Sequence, residues 1–138
     1  MKLDIQNDVR AFMDKAKQPS QYSDWNTEQA ELYFKLVKEE YGELKRAFTR
    51  GDYVEVADAI GDLVWVTMGL ANSMGIHFGS VWNEIKDSNM TKLIDMKFRK
   101  DGKIIKGESF RPVDLPSILP YCICKDGEWK TTESLGHG

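Results

Sequence analysis

Apolar residues recur at helical spacing along most of the chain, interrupted by short polar punctuation. Ile5, Val9, Phe12 and Met13 predict an amphipathic helix over about Asp4 to Ala16. The stretch QPSQYSDWN, Gln18 to Asn26, is polar with one proline and reads as a loop. Asn26 fits a helix N-cap, with Gln29 three residues on, and Leu32, Leu36, Val37, Tyr41, Leu44 and Phe48 carry the helix to about Thr49, where Gly51 stops it. Asp52 and Glu55 repeat the capping pattern before a third helix that runs through about Leu70 and ends by Gly75. Ser80 is a candidate cap for a fourth helix over about Val81 to Met96. From Phe98 the texture changes. Asp-Gly and Lys-Gly around Ile104 and Ile105 predict a short hairpin, Pro112 a turn, and the tail a further small strand. The expected fold class is all-α: a four-to-five-helix bundle with a short extended C-terminal hairpin and tail. One domain over residues 1–138 is expected, with a helical core at about 4–96 and an extended arm at about 97–138.

The third helix departs from ordinary amphipathicity. Val56, Ala57, Ala59, Ile60, Leu63, Val64, Trp65, Val66 and Met68 make it apolar on nearly every side, the pattern of a buried helix. Asp58 and Asp62 nevertheless sit on it, four residues apart on one face. The preceding helix carries Glu39, Glu40 and Glu43 within one arc. A buried carboxylate must be paired, protonated or bound to a metal. The two acidic sets are therefore expected to face each other across the helix pair and hold divalent cations. Carboxylate oxygens suit hard ions, and magnesium so held keeps coordination sites for water and substrate phosphates. Zinc has no donor set, because His77 and His137 are far apart and Cys122 and Cys124 have no second pair. A plainer reading competes: acid clusters on helices are often solvated faces, here with Lys38 or Lys45 as partners, and Asp58 and Asp62 could be ion-paired core carboxylates.

Composition narrows the classes. The chain of 138 residues carries a formal net charge of −3 and no basic run, which argues against nucleic acid as a partner. No charge-free apolar stretch reaches the roughly 18 residues of a membrane span. The start, MKLDIQNDVRAF, lacks a signal-peptide core, and two cysteines without signs of export fit a reducing, cytoplasmic setting.

The order E-E-x-x-E, a short gap, then D-A-I-G-D-L with an apolar continuation resembles the all-α nucleoside triphosphate pyrophosphohydrolase superfamily, which includes MazG-like proteins, phosphoribosyl-ATP pyrophosphohydrolases and dimeric dUTPases. Ser88 to Leu93, SNMTKL, and Asp101 to Leu115, DGKIIKGESFRPVDL, are similar to its MazG-like and phosphoribosyl-ATP branch. The likeness runs from about Val9 to about Leu119. Where many members have E-x-x-D in the second metal helix, aligning Asp62 with that Asp puts Ala59 at the Glu position. Asp58 is the expected substitute, with Glu55 already engaged as a cap.

The resemblance implies hydrolysis of a (d)NTP between the α and β phosphates to the monophosphate and pyrophosphate, as in nucleotide-pool sanitation. It implies metal ligands Glu39, Glu40, Glu43, Asp58 and Asp62, with magnesium as the cofactor and manganese as a substitute. Glu39 and Glu40 are the candidate general bases. Asn89 would bond the nucleotide and Lys92 neutralise phosphate oxygens. Lys103, Lys106 and Arg111 are further candidates for phosphate contact, and Asn7, Gln18, Gln21 and Trp25 for the base. The family also implies a homodimer or homotetramer, with Trp65, Met68, Leu70 and Trp82 offering apolar area. Three alternatives stay open: a phosphoribosyl-ATP-type hydrolase, a dUTP-specific hydrolase, and a non-enzymatic helical protein-binding module.

Overall fold

A computed structural model describes residues 2–18, 27–119, 121–123 and 129–131. Asn26, Gln21, Trp25, Cys124 and His137, named above, lie outside them. The chain forms two compact units, Met1–Phe78 and Gly79–Gly138. The class is all-α: four helices precede a short extended tail.

In the first unit α1 spans Ile5–Lys15, α2 Thr27–Arg50 and α3 Tyr53–Ser73. Local chemistry sets most of their ends. Asp4 caps α1 by accepting the Asn7 N–H at 3.1 Å, and the Asn7 side-chain amide donates back at 2.7 Å. Asp52 caps α3 by accepting the Glu55 N–H at 3.1 Å. Gly51 (φ 71°) and Gly75 (φ 68°) supply the left-handed residues that let α2 and α3 stop.

Val9 and Met13 of α1, Tyr33 of α2, and Val66 and Met68 of α3 form the buried core, with Leu36, Val37 and Leu70 packed around it. Met68 thus belongs to the core rather than to an interface. The helix pair α2/α3 is antiparallel: Tyr33 lies against Gly69, and two turns on along α2, Glu40 senses the charge of Asp62, two turns back on α3. Polar side chains pin α1 to α3. Gln6 donates to the Asn72 side-chain oxygen at 3.0 Å and to the Ile76 carbonyl at 2.7 Å, and Arg10 donates to the same Asn72 oxygen at 2.9 Å.

The expectation that α3 is buried on all sides is corrected. Val54, Ile60, Val64 and Trp65 are exposed, because within the unit only α1 and α2 pack on α3 and two neighbours cover only part of its circumference. Among the described residues no helix is long and apolar enough to cross a membrane.

The fourth helix, α4, spans Phe78–Met90 and so begins and ends earlier than its spacing predicts. At its start the Phe78 N–H donates to the Gln6 side-chain oxygen at 2.8 Å, a partner contributed by α1, remote in sequence. At its end the Thr91 hydroxyl donates to the Ser88 carbonyl at 2.6 Å and accepts the Arg111 N–H at 2.9 Å, and the chain tightens into a 3-10 turn over Thr91–Leu93. In the second unit β1 (Lys97–Phe98) pairs antiparallel with β2 (Ile104–Ile105), the predicted hairpin, turning at Gly102 with φ 95°. Strands β3 (Tyr121–Ile123) and β4 (Trp129–Thr131) form a second antiparallel pair.

Candidate active site

The helix register puts the two acidic sets on facing stretches of α2 and α3. The Glu40 carboxyl is held above the ordinary carboxylate range, first by partial loss of hydration and then by the charges of Asp62, Glu43, Asp58 and Glu39. Asp62 is likewise raised, first by lost hydration, then by the Asp58 charge and by a hydrogen bond with Asp58. All five sequence-predicted ligands therefore lie in one electrostatic field, with Glu40, Asp58 and Asp62 at its centre.

Their surroundings differ from the expectation of an interior cluster. Glu39, Glu43, Asp58 and Asp62 are exposed and Glu40 is half-buried, for the same reason that the apolar side of α3 is uncovered. Glu43 pairs with Arg46 at 2.8 Å, one turn on, rather than with Lys38 or Lys45. Both side chains are about 60 % exposed, so the pair is a screened surface contact that exchanges readily with water. Lys38 instead lies 4.6 Å from the centre of the Phe34 ring.

Among the described residues no three His, Cys, Asp or Glu side chains stand close enough to hold a metal ion as they are. The chemistry of the donors nevertheless fits a hard divalent cation. They are all carboxylates, and lost hydration together with their mutual repulsion raises Glu40 and Asp62, a field that a cation would relieve.

The predicted substrate residues lie in the second unit. Lys92 falls on the 3-10 turn and Asn89 on α4, so the two do not share one helix as their spacing suggested. The ammonium groups of Lys92 and Lys106 converge on the Phe110 ring, at 5.9 and 5.0 Å from its centre. Phe110 was not singled out in the sequence; its place between Lys106 and Arg111 was the available signal. Arg111, a phosphate candidate by sequence, is committed elsewhere: it donates to Glu84 at 2.7 Å. Among the base-contact candidates, Asn7 serves the α1 cap and Gln18 accepts the Tyr33 hydroxyl at 2.6 Å. Both are structural partners here.

Within this all-α chain, an antiparallel helix pair sets carboxylates of α2 and α3 opposite one another. The sequence matches the phosphoribosyl-ATP pyrophosphohydrolase family over residues 7–89, more than half of the chain and the whole of the acidic pair. The chain belongs to that family, within the MazG-like all-α superfamily. It is accordingly a pyrophosphohydrolase, acting on acid anhydrides. Among curated proteins none matches.

Proposed function

We propose that the chain hydrolyses the 5′-triphosphate of a nucleotide to the monophosphate and pyrophosphate, with magnesium held by Glu39, Glu40, Glu43, Asp58 and Asp62. The observation that carries this reading is the shared field of five carboxylates on facing helices, in a chain whose family hydrolyses pyrophosphate linkages. When bound, the cation would offset the acidic cluster, withdraw charge from the attacked phosphorus and acidify a water. Manganese is the expected substitute.

Glu39 or Glu40 would accept the proton of the attacking water. Lys92 and Lys106 are the proposed cations for phosphate oxygens, and Asn89 the proposed hydrogen-bonding partner of the nucleotide.

Two substrates carry the required triphosphate. A free (d)NTP would make the protein a cytoplasmic sanitiser of the nucleotide pool. Phosphoribosyl-ATP is favoured by the identity of the matched family. The exposed Ile60 and Val64 of α3, turned away from the Trp65 side of the helix, support a homodimer or homotetramer as the working form. Pyrophosphate release measured with and without magnesium, across phosphoribosyl-ATP and the canonical and deoxy nucleoside triphosphates, tests the proposal. Release should require magnesium and fall at least a hundredfold in Asp62→Ala. Full activity in that variant would remove Asp62 from the site.

A further inference from the structure

One exposed feature on the acidic flank of the first unit is used neither by the core nor by the acids. Phe12 of α1 and Trp65 of α3 meet edge to face, with ring centroids 5.4 Å apart and planes at 76°. They are 49 % and 39 % exposed, whereas Val9, Met13, Met68 and Asn72 along the same α1–α3 seam are buried. An edge-to-face pair leaves at least one aromatic face uncovered.

We infer that Phe12 and Trp65 form the platform on which the substrate's nucleobase stacks. The inference rests on the reading of the acids as the triphosphate site. Trp65 follows Asp62 by three residues and Asp58 by seven, so all three side chains leave one face of α3. The nearer separation is one helical turn, about 5 Å along the axis, a reach that a ribose spans. Gly61 shares that face, four residues before Trp65, and nothing lies within 4 Å of the place a side chain would take there. The strip from Asp58 to Trp65 is therefore open along its length. A triphosphate held at the acids is tethered by its own sugar to a base that must lie within this short distance. An aromatic surface accepts any base, because every base has a π-face, so the platform supplies affinity without selecting among bases.

Binding of adenosine 5′-monophosphate in magnesium, followed by calorimetry with ribose 5-phosphate as the baseless control, tests this without requiring turnover. Wild type should bind the monophosphate more tightly than the control. Trp65→Leu and Phe12→Leu should each weaken the monophosphate by about tenfold or more, leave the control unchanged, and keep the magnesium-induced thermal shift. Trp65→Phe should retain most of the affinity, and Trp82→Leu should change nothing. Equal affinity for monophosphate and control in wild type, or unchanged monophosphate affinity in the Trp65 and Phe12 variants, would overturn the platform. So would light scattering in which Trp65→Leu lowers the particle mass while nucleotide binding persists, since the pair would then be covered by a second copy of the chain. Failure of the acidic site is read separately, as loss of magnesium-dependent pyrophosphate release in wild type.

Discussion

The Tyr33 ring on α2 occupies the space that any side chain on Gly69 of α3 would need. This is the close approach that brings the two helices together, and two turns along the same pair Glu40 comes opposite Asp62. Gly69→Ala forces the ring or the helix to move and should cost about 1–3 kcal/mol. Gly61→Ala, with nothing within 4 Å, should instead stabilise by about 0.5–1 kcal/mol through the unfolded chain. Opposite signs for the same substitution on one helix, measured by urea unfolding, are the expected result.

The polar seam between α1 and α3 is a second point of dependence. Asn72 is fully buried, and its side-chain oxygen accepts from both Gln6 and Arg10. Asn72→Ala removes that acceptor from two donors at once and should cost about 2–3 kcal/mol. Gln6→Ala should be felt at the start of α4, because Gln6 accepts the Phe78 N–H. Amide hydrogen exchange at Phe78 should accelerate in that variant while exchange at the centre of α2 changes less.

In the acidic pair, stability and function should separate. Glu40 and Asp62 have their carboxyls raised, so ionising them is less favourable in the fold than in the open chain. Asp62→Asn should raise the melting temperature of the metal-free protein. The gain should stay below about 1 kcal/mol, since Asp62 is exposed and screened by water. On the proposed magnesium site, the same variant should lose most of whatever stabilisation the ion confers on wild type. Thermal unfolding with and without magnesium checks both signs; a variant that still responds fully to magnesium would exclude Asp62 as a ligand.

What was legible in the sequence was chemistry that acts within a few residues. The Asp52 cap and the stops at Gly51 and Gly75 depend on local backbone geometry and stand where the spacing put them. That the helices carrying Glu39, Glu40 and Glu43 and Asp58 and Asp62 run antiparallel was also readable, because a short turn between two helices forces it. Partners distant in sequence were not. The start of α4 depends on Gln6 and its end on Arg111, so neither boundary was visible in the α4 segment itself. Arg111 looked available for phosphate because nothing local announces Glu84. Exposure of α3 was misread for a similar reason: an apolar sequence states that a surface prefers to be covered, but not which chain covers it.

The Glu84–Arg111 clamp yields a pH dependence opposite in sign to that of the acidic pair. Glu84 accepts from the Arg111 guanidinium at 2.7 Å and from the Asp114 N–H at 3.0 Å. The Arg111 hydrogen bond, then the Asp114 N–H, hold its carboxyl below the ordinary 4.5. A carboxylate with a depressed folded pKa contributes stability above its unfolded pKa and loses it as pH falls through the folded value. Glu40 and Asp62 behave the other way: their raised values mean that ionisation costs stability, and the cost disappears as pH falls through the raised pKa. Acidification from neutrality should thus first relieve the acidic pair and only below the ordinary carboxylate range release the clamp. Glu84→Gln should leave the first phase intact and flatten the second. Amide exchange at Asp114 offers the local readout, since its N–H loses a charged acceptor when Glu84 is protonated. Asp101→Asn is the control: Asp101 is also depressed, by Arg99, but that pair closes only the β1–β2 turn. Its loss should leave exchange at Asp114 unchanged, whereas an equal response to both substitutions would mean that the clamp does not hold the segment around Asp114.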